Sequence, residues 1–133
     1  MPVDTSSTPR TIELPLPKVQ GSNARSHWTV RSRTAKSDRY VAFGNAAESS
    51  FAKNGRLLRE PMSAAHVFID WHCPTKRLID CDNALSRCKS YLDGLTDAGW
   101  WADDRAIRVV TIAVHPAAPD RKGIVRIRAV PVE

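Results

Sequence analysis

Two neighbouring segments in which apolar residues recur at different spacings restrict the fold more than any other part of the sequence. Residues Ala64–Cys73 alternate apolar and polar side chains, which is typical of a half-buried strand. From Asp82 or Asn83 to about Gly99 the period becomes helical, and the predicted buried stripe consists of Leu85, Cys88, Leu92 and Leu95. Because a strand and an amphipathic helix in succession both have an apolar face to bury, we expect the helix to pack on a sheet.

A shorter strand and a further helix are predicted upstream. Residues Thr11–Leu16 alternate, and the prolines at their end either place this strand at the edge of a sheet or end it early. Residues 17–36 lack periodicity and predict a long loop. Ser37 is expected to cap a helix that Asn54-Gly55 ends. The predicted apolar stripe of this helix consists of Tyr40, Phe43, Ala47 and Phe51.

Two more strands are predicted near the carboxyl end, at Ile107–His115 and Ile124–Val130. The connection 116–123 contains prolines and a glycine and suits a hairpin with a longer loop. Before these strands, Trp100-Trp101 is expected to cover the core rather than to stack on bases. The resulting order, β-α-β-α-β-β, predicts an α+β fold in which two helices pack on a small mixed β-sheet.

Length and composition favour one globular domain. The chain has 133 residues, of which 42% are hydrophobic and 26% charged, which is enough apolar surface for a single core. We predict a flexible polar tail at residues 1–10 and one domain at residues 11–133. No apolar run approaches the roughly 20 residues needed to cross a bilayer. The first ten residues lack the apolar centre of a secretory signal.

The cysteines favour a reducing compartment. Cys73, Cys81 and Cys88 are odd in number and form no close pair, which argues against a disulfide framework. Their intervals do not follow the usual spacing of zinc ligands. Without a signal or membrane segment, these features predict a cytoplasmic protein with no membrane partner.

The charges of the chain are unevenly distributed. The formal net charge is +6, yet six of the 14 acidic residues lie between positions 80 and 104. Carboxylates gathered in a basic protein suggest a hard divalent cation held by oxygen ligands, and the surrounding positive charge suits a polyanion. The basic segment 25–39 fits either a phosphate backbone or an ordinary solvated loop.

Sequence spacing brings several of these acids together with a lysine. Asp80 and Asp82, if the chain is extended there, point to the same face roughly 7 Å apart. On the predicted helix, Lys89 and Asp93 lie about 20° to either side of Asp82. The pair Asp103-Asp104 follows the helix after a turn, which returns a third carboxylate toward the sheet.

Such a set of residues contains the parts that phosphodiester hydrolysis needs. A metal held by carboxylates positions a water and neutralises phosphate charge, and a lysine stabilises the negative charge of the transition state. Each residue also has a purely structural interpretation. Asp82 suits a helix cap, Lys89 and Asp93 suit an i,i+4 ion pair, and Asp103-Asp104 suits a turn.

The segments Asp80-x-Asp82-Asn83, Lys89-x-x-x-Asp93-Gly94-Leu95 and Ala98-Gly99-x-Trp101-x-Asp103-Asp104 form one combined pattern. Upstream lie Leu14-Pro15-Leu16-Pro17 and Asn23. Together they resemble the RusA family of Holliday junction resolvases, which is common in phages and prophages. The resemblance covers most of residues 11–130 and is densest over residues 80–104.

The resemblance implies a homodimeric, Mg²⁺-dependent endonuclease, with Mn²⁺ able to substitute, that makes paired cuts in four-way DNA junctions of a bacterial or phage-infected cell. It implies that Asp80, Asp82 and Asp104 bind the metal and are catalytic together with Lys89. The supporting residues would be Asn83, Asp93 and Asp103. The residues expected to contact DNA are Asn23, Arg25, Arg31, Arg33, Lys36, Lys76 and Arg77.

One position departs from the family's pattern. In that pattern the lysine follows the Asp-x-Asp motif by one helical turn, where this chain has Ser86, and Lys89 comes three residues later. We interpret the difference as a three-residue extension near the helix start. Because positions i+4 and i+7 lie on similar helical faces, Lys89 still faces the carboxylates.

Two other functions are consistent with the same residues. The first is a non-catalytic DNA-binding module in which the acids are structural. The second is a metal-dependent nucleotide phosphohydrolase, which predicts a closed pocket and does not need the basic segment 25–39.

Overall fold

The alternating segment of the sequence forms one of the two inner strands of a four-stranded sheet. The computed structural model describes residues 9–19, 28–118 and 122–132, with residues 28–31 described by their backbone alone. The elements in chain order are β1 (Arg10–Pro15), α1 (Trp28–Ser50), β2 (Ala65–His72), α2 (Cys81–Asp97), a 3-10 turn (Asp104–Ala106), β3 (Ile107–His115) and β4 (Ile124–Pro131). This order confirms the predicted α+β fold with a mixed sheet and two helices.

The strand order in the sheet is β1-β4-β2-β3. β3 runs parallel to β2, whereas β4 is antiparallel to both β2 and β1. The predicted hairpin of β3 with β4 is therefore wrong, because β2 lies between them. The crossover through α2 places β3 parallel to β2 on one side, and the connection after β3 passes to the other side before β4 begins. Both edges of β2 are paired as a result, and β1 is an edge strand as predicted.

The core lies between one face of the sheet and the helices. On β2 the inward side chains Val67, Ile69 and Trp71 are at most 1% exposed. α2 packs on this face with Cys88, Leu92 and Leu95, as its spacing predicts, and α1 lies alongside it with Ala42 and Ala46. Trp100 and Trp101 are buried in the same core, which confirms that they cover it.

Helix α1 differs most from the prediction. It begins at Trp28 and not at Ser37, so residues 28–36 are helical and not part of a loop, and it ends at Ser50. Tyr40, expected in the buried stripe, is 75% exposed. The buried positions are instead Asp38, Ala42, Ala46 and Ser50, four residues apart. Small side chains let two helices approach closely, and they carry little of the hydrophobic periodicity that marks a helix in sequence.

Buried Asp38 anchors the chain that leaves β1. Its carboxylate accepts hydrogen bonds from the backbone N–H groups of Lys18 and Val19 at 2.9 and 2.8 Å. From α2, Arg87 donates to the carbonyl oxygens of Pro17 and Val19 at 2.7 and 2.9 Å. The two helices thus hold the backbone of residues 17–19, and the burial of the charged Asp38 is compensated by hydrogen bonds.

Replacing Gly94 with Ala should destabilise the protein by about 1–3 kcal/mol, because the added methyl overpacks the contact between the helices. A Cβ at this position would lie 2.3 Å from the carbonyl oxygen of Arg39 and 2.8 Å from the Cβ of Ala42. Gly44→Ala is the matched control, since a Cβ there meets nothing within 4 Å. That change should stabilise α1 by about 0.5–1 kcal/mol. Urea unfolding of both variants measures the difference, and equal stabilities would contradict the close contact.

Candidate active site

The acidic motif lies where the loop after β2 enters α2. Asp80 occupies the position that caps α2, with an extended backbone, but its side chain makes no capping hydrogen bond. Asp82 is already in the first helical turn. The prediction that α2 starts at Asp82 or Asn83 is therefore one or two residues late, and the extended spacing assumed for Asp80 and Asp82 does not apply. Both carboxylates are exposed, so both are accessible to a ligand.

The middle of α2 forms one wall of an acidic cleft. Lys89 Nζ lies 2.8 Å from Asp93 Oδ1, one helical turn further on, and 3.8 Å from Asp104 Oδ2 at the entry to β3. The cleft has a volume of about 300 Å³, and Asp103 and Thr96 also line it. The i,i+4 ion pair expected as a structural alternative is thus present, and the same ammonium group also faces the predicted catalytic carboxylate of Asp104.

Asp103 and Asp104 have different roles in the turn before β3. The carboxylate of Asp103 accepts a hydrogen bond of 2.7 Å from the backbone N–H of Arg105 and so caps the 3-10 turn. The side chain of Asp104 is 65% exposed and faces Lys89. Asp103 therefore stabilises the turn that carries Asp104, and its role as a supporting residue of the site stays a prediction.

A second depression lies beside the start of α2. It has a volume of about 580 Å³ and is lined by Asp80, Asn83, Arg77 and Arg87 together with apolar side chains of the loop after β2. The Oδ1 atom of Asn83 is buried and has no hydrogen-bond donor among the described residues. A buried acceptor of this kind needs a partner, which a cation or a bound donor group would supply.

The oxygen atoms of these side chains are suitable ligands for a hard divalent cation. Among the described residues, no three acidic, histidine or cysteine side chains converge as a ready-made metal site. Mg²⁺ is commonly held by only one or two carboxylates, with water and substrate phosphate completing its coordination. Oxygen ligands of the type that Mg²⁺ prefers are available here. They are the exposed carboxylates of Asp80, Asp82 and Asp104 and the unpaired side-chain oxygen of Asn83. The assignment of these three aspartates as metal ligands stays a prediction.

Arg39, the last residue of the basic segment 25–39, is a member of the cleft that the sequence analysis did not predict. It comes from α1, donates from Nε and Nη2 to the two carboxylate oxygens of Asp97 at 2.6 and 2.8 Å, and lines the cleft beside Lys89. This hydrogen bonding lowers the pKa of the Asp97 carboxyl below its ordinary value of 3.8 and raises the pKa of Arg39. Sequence offers little signal for the pair, since 58 residues separate its members.

The residues predicted to contact DNA fall into three groups. Arg33 and Lys36 are exposed on α1, and Lys76 and Arg77 are exposed in the loop between β2 and α2. Arg31 belongs to α1, but its side chain is not described. Asn23 and Arg25 lie outside the described residues, as do residues 1–8 of the predicted tail. Arg10, assigned to that tail, is the first residue of β1.

A comparison of the chain with protein families decides its membership. The sequence model of the family described as "Endodeoxyribonuclease RusA" matches residues 15–128, most of the chain and all of the acidic motif. The chain belongs to the RusA family. It is also 37% identical over 117 residues to an uncharacterized protein of Xylella fastidiosa (strain Temecula1 / ATCC 700964), a match that covers 84% of this chain and 67% of that protein.

Membership in the RusA family implies an endodeoxyribonuclease that binds DNA junctions and resolves Holliday junctions with the help of a divalent metal. No helix among the described residues is long and apolar enough to span a membrane. The cleft around Lys89 and the entry to α2 both lie within the matched range.

Proposed function

We propose that this RusA family member is a Mg²⁺-dependent endonuclease that resolves four-way DNA junctions by paired phosphodiester hydrolysis. The observation that supports it best is the position of Lys89, whose ammonium group lies between the carboxylates of Asp93 and Asp104 in an open cleft. A cation placed in this way can stabilise the negative charge that develops on a phosphate during hydrolysis.

In this proposal the acidic residues hold the metal and orient the lysine. Asp80, Asp82 and Asp104 would bind Mg²⁺, with Mn²⁺ as a substitute of similar ligand preference. When bound, the metal supplies an activated water and neutralises phosphate charge. Asp93 fixes the direction of the Lys89 side chain through their ion pair, and Asn83 and Asp103 would be supporting residues. The DNA backbone would be held by Arg33, Lys36, Lys76 and Arg77, together with Asn23, Arg25 and Arg31.

The openness of the cleft disfavours a hydrolase of small nucleotides. The side chains of Lys89 and Asp104 are 61% and 65% exposed. A small substrate usually has most of its surface buried in its pocket, whereas a DNA strand can lie along an open surface. The basic side chains on α1 and in the loop before α2 also suit a long polyanion better than a mononucleotide.

The direct test is incubation of the protein with a mobile synthetic four-way junction and Mg²⁺. Paired nicks at opposite strands of the junction are expected, and Asp82→Asn should abolish them while it leaves junction binding intact, because phosphate contacts carry most of the affinity. A protein that binds the junction without cutting it would instead be a DNA-binding module.

We also propose that the working unit is a homodimer. The described part of one chain contributes a single Lys89 to the proposed active site, whereas resolution requires two symmetric incisions, and a two-fold dimer matches the symmetry of the junction. The edge strand β1 remains a candidate contact, but the buried Trp100 and Trp101 do not. Light scattering at micromolar concentration should report about twice the 14.8 kDa chain mass. A monomer that nicks only one strand would contradict the proposal.

The cysteines agree with a reducing cytoplasm as the proposed location. Cys73, Cys81 and Cys88 are all free thiols in the structure. Burial raises the pKa of the Cys88 thiol to about 12, so this side chain packs as a neutral, unreactive group.

A further inference from the structure

The exposed face of α1 next to the cleft combines cationic and aromatic side chains. Four side chains of α1 lie three or four residues apart or are adjacent in sequence, so they share one side of the helix. They are Lys36, Arg39, Tyr40 and Phe43. With Asp97 they line a shallow depression of about 300 Å³. Tyr40 exposes 75% of its surface, which is a large aromatic area to leave in water.

Arg39 connects this depression to the candidate active site, because its side chain lines both. Asp97 fixes the plane of the guanidinium through two hydrogen bonds. An arginine has five N–H donors in a rigid fork, so three donors of Arg39 remain, and no other hydrogen-bond partner for them lies among the described residues. The group is therefore held in place with donors available for a phosphate.

We propose that this α1 surface binds an unstacked nucleotide of the DNA strand that passes through the candidate active site. Arg39 and Lys36 would bind its phosphates, and the ring of Tyr40 would stack on its base. Bases within a duplex arm are already stacked on both sides, whereas the branch point of a junction offers open base faces. The surface would thus recognise the branch, a role that rests on the proposed function.

The charge of the surface favours a nucleic acid over a second copy of the chain. The surface carries two cations, Lys36 and Arg39, against one carboxylate, Asp97, and a two-fold contact would add a second copy of this net positive charge. Phosphates provide the complementary charge, and a base can stack on the exposed ring of Tyr40.

The first test measures binding to a four-way junction that carries 2-aminopurine either at the branch point or inside an arm, in EDTA so that the DNA stays intact. Tyr40→Ala should weaken junction binding roughly tenfold and abolish the fluorescence change of the branch-point probe. Tyr40→Phe should restore both, because it keeps the ring. Leu58→Ala removes another exposed apolar side chain and is the control expected to bind normally.

The second test separates a phosphate contact from a purely structural ion pair. Arg39→Gln should reduce the slope of log affinity against log salt by about one. Asp97→Asn breaks the same pair but keeps the cation, so its slope should match that of the native protein. If the pair only joins the two helices, both variants melt at lower temperature and neither changes the slope.

The outcomes distinguish this surface from the proposed function itself. Native protein that binds the junction in EDTA but never cleaves it in Mg²⁺ would overturn the proposed function, while the two binding tests would still report on α1. Native affinity and fluorescence in Tyr40→Ala, or an equal response from the probe inside an arm, would overturn recognition of the branch by this surface.

Discussion

Replacing Asp104 with Asn should slow junction cleavage by more than about 100-fold. Changes to groups that merely orient metal ligands already cost about 10–100-fold, and Asp104 is a proposed ligand itself. The fold should survive, since its side chain is largely exposed and the 3-10 turn is capped by Asp103 instead. Single-turnover cleavage of a labelled junction in Mg²⁺ measures the rate, and gel mobility in EDTA measures binding, which should remain near native.

A matched control for this change is Asp70→Asn. Asp70 lies on β2, on the sheet face opposite the buried Val67, Ile69 and Trp71, where it pairs with His115 at 2.7 Å. Its replacement alters the net charge by the same amount away from the cleft, so cleavage should stay near the native rate. Equal rates for Asp104→Asn and the native protein would remove Asp104 from the proposed catalytic set.

Lys89→Ala should cleave about 100-fold more slowly than the native protein and bind the junction almost normally. The loss of one donor that stabilises transition-state charge typically costs about that factor or more. Because Lys89 is 61% exposed and its ion pair with Asp93 is a surface pair, the fold should be little affected. Lys53→Ala removes an exposed lysine from the loop after α1 and so changes the net charge by the same amount. This control variant should cleave at the native rate.

The structure also indicates that a lysine one turn earlier could reach the same place. Ser86 and Lys89 line one depression together with Asp104. Ser86→Lys in the Lys89→Ala background should therefore recover part of the lost rate, which would support the interpretation of a three-residue extension. Native cleavage by Lys89→Ala alone would show that the lysine has no part in the reaction.

Local patterns in the sequence determined the features of the structure that depend on a single face of one helix or strand. The alternation of Ala65–His72 and the stripe of Cys88, Leu92 and Leu95 report burial directly, because period 2 and period 3.6 each place apolar side chains on a single face. The shared helical face of Lys89 and Asp93 follows in the same way and is confirmed by their ion pair. The acidic motif, combined with Lys89 and the upstream segment Leu14–Pro17, was enough to suggest the RusA family, which the comparison confirms.

Tertiary structure decided what depends on contacts between distant segments. Periodicity states that β3 is a half-buried strand but not that its neighbour is β2, since that choice follows from the crossover through α2. It also could not reveal the length of α1, because the buried positions Asp38, Ala42, Ala46 and Ser50 are small or polar. At Ala42 the two helices approach closely, since Gly94 of α2 has no side chain. The same close approach places Arg39 against Asp97 and beside the cleft. Contacts between residues far apart in the sequence depend on how whole helices and strands pack together, and the spacing of apolar residues within one element does not encode that packing.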